Sequence, residues 1–477
     1  MRPLTLGAAI LPLVTMLGLF IAGATTLDVG NELLVLVMLG AAAVASAVAA
    51  RVGKTWDDVQ RATGDKLAAV LPAILILLAI GMLVATWVAS GTIPLLVATG
   101  LELVDPQYLV LTAFLATAVM SLATGTSWGS AGTLGVALMG MAAALDAPLA
   151  ATAGAVVSGA YFGDKLSPLS DSTNICAIGA GADLYAHIRH LLYTSVPSFV
   201  VATVVFTVSS HWTGVGGEGL PPKAVELLGD IDRVYALDAW ALLPPVIVVL
   251  GILRRTPPVI AMASSSLVAS LLAVWHQGFS LEDAMVTAVR GFDVGMTASL
   301  GLEPSSLGET FQALVNRGGL DSMVGTLLVV LAAFLLAGAL DASGALDLLI
   351  RRMLAAVRST FGLICATMAA GSVMIALTSH GGVTALVIGG LFQKAFADRN
   401  LAPQNLSRSL EDSVTIVEPL MPWTVSAVFM ATTLGVPTLE YLPWALFCMG
   451  GPVFSLVLAA TFERTGFGLL EVEPDKA

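Results

Sequence analysis

Long uncharged apolar runs recur from one end of this chain to the other, at 4–24, 33–50, 67–89, 108–122, 259–275, 323–340, 361–377 and 441–461. Each is about long enough, as a helix, to cross a ~30 Å hydrocarbon layer. A span in lipid must satisfy its own backbone, which leaves helices or closed barrels, and a barrel would show short alternating strands. Only 11% of the residues are charged, against about 25% in soluble domains. The runs therefore specify an all-α polytopic membrane protein with about 10–12 transmembrane segments. The run at 4–24 is soon followed by further spans and shows no small-residue cleavage site, so it is read as a first membrane helix and not a signal peptide. Cys176, Cys365 and Cys448 stand apart, with neither disulfide nor metal spacing. The net charge of −12 argues against a nucleic-acid partner.

The chain is written twice. "ASGTIPLL" (89–96) and "ASGALDLL" (342–349) each close an apolar run. "GKTWDDV" (53–59) and "GFSLEDA" (278–284) both read as helix starts, with Thr55 and Ser280 as caps and Asp58 and Asp283 three residues on. "TSWG" (126–129) pairs with "TSHG" (378–381), and "SPL" (167–169) with "EPL" (418–420). The change of offset along these pairs places extra residues within 285–320. Basic residues mark cytoplasmic loops, and their bias reverses between the copies. Arg51, Lys54, Arg61 and Lys66 crowd one loop, while its partner, 278–320, holds only Arg290 and Arg317. The loop at 25–30 has no Lys or Arg, while its partner holds Arg254 and Arg255. The pattern predicts two inverted-topology repeats with broken helices: 1–211, an extracytoplasmic connector at 212–236, 237–463, and a cytoplasmic tail at 464–477, with both termini inside. Halves of this kind place a substrate site near the membrane midplane, where their interrupted helices meet.

Each half has two polar interruptions. They are 124–130 and "GDKLSPLSDSTN" (163–174) in the first, and 378–382 and 409–419, followed by Pro422, in the second. Glycine and proline unwind a helix, and the freed carbonyls need partners at membrane depth. A dehydrated Na⁺ is one, being a hard cation that takes oxygen ligands. Asp164, Asp171, Glu418 and Asp412 are the intramembrane acids and so the candidates for ion binding and proton coupling. A carboxylate stranded in low dielectric holds either a proton or an alkali cation, and that competition alone couples two opposed fluxes. Lys165, Ser167, Thr378, Ser379 and His380 are the further polar residues expected around the cavity. Plainer readings stand beside these. Asp164 and Lys165 can form an interfacial ion pair, Asp171 can cap a helix, and Asp412 can pair with Arg408 on a surface helix. His187 and His190, flanking Arg189, are expected at the membrane interface. A membrane hydrolase built on Ser127 and His380 is disfavoured, because repeat symmetry already accounts for the paired breaks, and a passive channel is disfavoured because titratable groups in paired broken helices suit alternating access. No phosphate-binding loop is present.

With "SGTIP", "TGTSWGSAGTLGVALMG", "SGAYFGDKLSPLSDSTN" and "SRSLEDS" on the page, the chain resembles the NhaC family of Na⁺/H⁺ antiporters over about 5–460. The resemblance implies re-entrant hairpins, residence in the cell (inner) membrane, a homodimer, and Na⁺ and H⁺ as transported ions with no cofactor. It implies Na⁺-binding roles for Ser170, Asp171, Ser172, Thr173 and Asn174, with Na⁺ at Asp171, Asn174 and Ser170, and more loosely for Thr126 and Ser127. The second half lacks a matching Ser-Asn-Thr copy and offers Met421-Pro-Trp-Thr424. Some members exchange organic acids such as malate and lactate, or transport amino acids. With Lys165 the only basic residue in the core breaks, simple Na⁺/H⁺ exchange is the leading expectation and organic-anion exchange the alternative.

Overall fold

A computed structural model of the chain describes residues 3–27, 30–210 and 220–472. Among these residues, nine helices are long and apolar enough to cross a bilayer, and two bent helix pairs raise the number to eleven. The extended structure there consists of two isolated bridges, Phe292 with Arg317 and Leu401 with Glu471.

The first half holds α1 (Leu6–Thr26), α2 (Asn31–Arg51), α3 (Trp56–Ala89), α4 (Thr92–Leu103) and α5 (Leu109–Thr124). It continues with α6 (127–144, with a π-turn at Ala131–Gly135), α7 (Leu149–Leu166), α8 (Asp171–Ala180) and α9 (Leu184–Ser210). The expected connector lies outside the described residues as far as 219. Beyond that it forms α10 (Pro222–Val234), which buries Ala224, Leu227 and Ile231. The second half holds α11 (Leu243–Leu253), α12 (Pro258–Trp275), α13 (Leu281–Arg290), α14 (Glu309–Val315), α15 (Val324–Ser343), α16 (Ala345–Ala355) and α17 (Thr360–Thr378). It closes with α18 (Gly381–Ala397), α19 (403–415, ending in a π-turn at Glu411–Thr415), α20 (Val425–Leu434) and α21 (Leu446–Thr465).

The expected helix starts are full capping boxes. The Thr55 hydroxyl accepts from Asp58 N while Asp58 accepts from Thr55 N, and Ser280 and Asp283 repeat the arrangement. Packing then recurs with the halves exchanged: α2 lies on α15 as α12 lies on α3, and α8 lies on α18 as α20 lies on α6. The extra residues of the second half run from Gly291 to Met323 as short turns around α14. They clasp the first half, with Gly319 N donating to Gly81 O of α3 at 2.7 Å. The chain after α21 folds back over α19, where Asn405 Nδ2 donates to Leu470 O at 2.6 Å. The tail beyond 472 lies outside the described residues.

Candidate functional site

In the first half, α5 ends on Gly125, whose φ of +70° suits a residue without Cβ. Thr126 then caps α6, accepting from Gly129 N at 3.1 Å. Behind this tip α7 unwinds after Leu166. Its freed carbonyls are met locally: Thr173 Oγ1 donates to Asp164 O and Lys165 O, each at 3.1 Å. Asn174 Nδ2 donates to Pro168 O at 3.1 Å and to Ser170 O at 2.7 Å. Ser170 caps α8 through Thr173 N and shares a 2.9 Å contact with Ser172 Oγ. Asp164, in the last turn before the gap, is 8% exposed and accepts from Ser127 Oγ at 2.9 Å. Hairpin tip and broken helix are thereby joined at one carboxylate.

The second half repeats this geometry 254 positions on. Ser379 takes the left-handed place of Gly125 at φ +53°. His380 caps α18 through Nδ1, which accepts from Val383 N at 3.3 Å. Thr378 and Thr384 hydroxyls meet at 2.8 Å, as Thr124 and Ser130 do at 3.4 Å. Pro422 answers Pro168, Thr424 caps α20 as Ser170 caps α8, and Glu418 answers Asp164. Glu418 lies against the start of α18, where a methyl group on Gly381 would come within 2.9 Å of its Oε2. The pairings of "TSWG" with "TSHG" and of "SPL" with "EPL" are therefore displaced by two and three residues from the structural register.

Asp164 and Glu418 open into one cavity of about 350 Å³ between the halves. Ser127, Asp171, Ser172, Ser379 and His380 also line it. A second cavity of about 740 Å³ shares Asp164, Asp171, Ser127 and Ser172, adds Thr126 and Asn174, and widens toward Tyr185, Arg255 and Thr256. Trp128 lines both and stacks on Phe429 of α20, with ring centroids 4.5 Å apart. Ser167, Ser170, Thr173 and Thr378 are buried and line neither cavity. Asp171, the first residue of α8, leaves its carboxylate open to the cavities.

Lys165 and Asp412 line neither cavity; both side chains are fully buried and paired at 2.5 Å. Lys165 Nζ also donates to Thr194 Oγ1 at 3.3 Å. Arg408, the expected surface partner of Asp412, is itself buried and donates to Gly468 O at 2.6 Å. His187 and His190 are not interfacial. They are buried against α19, meeting Ser407 Oγ at 2.7 Å and Asn405 Oδ1 at 3.1 Å. Glu411 was not anticipated: it is fully buried, and both carboxyl oxygens are without a hydrogen-bond partner. The adjacent acids of "LEDS" were the available signal, since neighbouring helical positions face different ways.

The chain matches the model of the Na⁺/H⁺ antiporter family over residues 3–215 and 159–461. It is 42% identical to an uncharacterised Na⁺/H⁺ antiporter of Haemophilus influenzae, covering 97% of this chain and 96% of the relative. It is 34% identical to the Na⁺/H⁺ antiporter NhaC of Alkalihalophilus pseudofirmus, covering 98% and 96%. It is 32% identical to the malate-2H⁺/Na⁺-lactate antiporter of Bacillus subtilis, covering 84% and 83%. A chain whose two half-copies both bring acids to a shared cavity, and which matches this model almost from end to end, is a member of the Na⁺/H⁺ antiporter family.

Proposed function

We propose that this protein exchanges Na⁺ for H⁺ across the cell membrane by alternating access, with Asp164 and Glu418 as the carboxylates that take either ion. One observation carries the reading: an acid from each broken helix, buried apart from its edge, faces the same cavity, and no Lys or Arg is among the residues lining it. A bare carboxylate there is costly, a protonated one is neutral, and one bound to Na⁺ is paired. Each carboxylate therefore releases one ion as it takes the other, and no nucleotide is required. Na⁺ sits on the first-half side, held by Asp164 and Asp171 with the Ser172 hydroxyl and the Asn174 carboxamide oxygen in support. Ser170 and Thr173 hold the break open by capping it.

The two halves cross the membrane in opposite senses, and both termini are cytoplasmic. The reversed loop charges support this reading. The larger cavity, whose rim carries Arg255, then faces the cytoplasm. A homodimer completes the proposal, tested by mass measurement of the protein in detergent.

In vesicles loaded with a pH dye, Na⁺ alone should drive proton efflux, and Asp164→Asn should abolish it. Wild-type rates in that variant would remove Asp164 from the site. The volume of the larger cavity and the arginine on its rim favour a second reading, Na⁺- and H⁺-coupled organic-anion exchange. A proton flux that requires added malate, lactate or an amino acid would select it.

A further inference from the structure

We infer that Glu411 is a further proton-carrying residue of the cycle, set behind the cavity wall and reached through Thr415; the inference rests on the Na⁺/H⁺ reading above. Glu411 is fully buried and neither carboxyl oxygen has a hydrogen-bond partner. The nearby ammonium is already committed, because Lys165 Nζ is held by Asp412 Oδ1 at 2.5 Å and by Thr194 Oγ1 at 3.3 Å. Among the described residues no other Lys, Arg or His forms an ion pair with Glu411 within 4.0 Å. A carboxylate anion so placed has no ion pair of its own, and an ammonium already shared with Asp412 offsets its desolvation only in part. A proton removes the charge without further ligands. A second metal ion would need several oxygens, and the neighbouring groups here are the Thr415 hydroxyl and the Cys176 thiol, with the Lys165 ammonium close by.

Both acids lie in the π-turn at Glu411–Thr415, closed by Ile416 N donating to Glu411 O at 3.3 Å, and as neighbouring helical positions they face different ways. Asp412 meets α7 and α9, and Glu411 meets α8. Single π-turns of this kind recur at functional positions. The route out is short. Thr415 and Cys176, 3.8 Å apart, both line the cavity that holds Asp164 and Glu418. A hydroxyl both donates and accepts. When the Thr415 hydroxyl turns toward Glu411, its oxygen takes a proton from a hydronium in the cavity, leaving water, while its own proton passes to a Glu411 oxygen; the reverse path empties the site.

The test uses the full chain in vesicles, with two readouts. One is the H⁺:Na⁺ ratio, taken from the pH gradient that just halts an imposed Na⁺ gradient. The other is counterflow of radioactive Na⁺ with no net proton movement. Glu411→Gln should lower the ratio and keep the counterflow. Thr415→Val retains the side-chain shape without the hydroxyl and should lower the ratio in the same way, and Thr415→Ser should restore it. An unchanged ratio in both Glu411→Gln and Thr415→Val overturns the inference. So does an equal loss of both readouts in Glu411→Gln beside a wild-type Thr415→Val, which would mark Glu411 as structural. Absence of Na⁺-driven proton flux in the wild type is a separate failure, that of the Na⁺/H⁺ reading beneath it.

Discussion

Lys165 and Asp412 share a burial that neither charge can sustain alone. Taking one partner from such a pair strands the other, whereas replacing both with apolar groups of similar size is close to neutral. Lys165→Met is therefore expected to destabilise the protein by about 3–5 kcal/mol, and Lys165→Met with Asp412→Leu to recover most of the loss; melting in detergent checks both. A smaller effect is expected at the cavity. Ser127→Ala removes a hydrogen bond to a carboxylate oxygen, worth about 1.5–3 kcal/mol in all, so Na⁺ affinity should fall by no more than about a hundred-fold in vesicle titrations. Asp164 and Glu418 were legible in the sequence because an acid beside a helix breaker, inside an apolar run, has few other uses. The partner of Lys165 was not legible. It lies 247 residues away, and local spacing offered Arg408 as the partner of Asp412 instead.

At the scale of the helix, the site depends on how closely α5 and α7 approach. A Cβ added at Gly159 would lie 2.2 Å from Phe114 O, and one at Gly163 would lie 2.3 Å from Leu122 N. Both obstacles are backbone, so no side chain can swing aside. Small residues four apart are how membrane helices reach this distance. Gly163→Ala should cost about 1–3 kcal/mol through overpacking. It should also lower Na⁺-driven proton flux, since Asp164 is the next residue; melting and flux measured on one preparation check the pair. Spans, breaks and capping boxes could be read directly, because apolar length, Gly and Pro, and Ser/Thr with a following acid are local signals. The register between the copies could not be read from four-residue identities. Shared letters such as the serine of "TSWG" and "TSHG" occupy different positions around the tip, whereas the caps Thr126 with His380 and Ser170 with Thr424, and Pro168 with Pro422, keep the spacing of 254.

For the whole molecule, the proposed orientation makes opposite ends accessible from opposite sides. With native cysteines removed, Arg254→Cys should react with an impermeant maleimide only from the cytoplasmic face, and Ser305→Cys only from the other; labelling of both from one face would refute the inversion. Two identical halves that traded shapes would give inward- and outward-facing forms of equal free energy. The Gly291–Met323 segment breaks that equivalence, because it bonds to α3 at Gly81, and among the described residues the first half holds no matching segment between α2 and α3 to clasp α15. Under the proposed inversion the two forms are no longer degenerate. The resting population is biased before any ion binds, and a splint attached to one lever alone contributes to the side of the membrane on which the empty carrier waits.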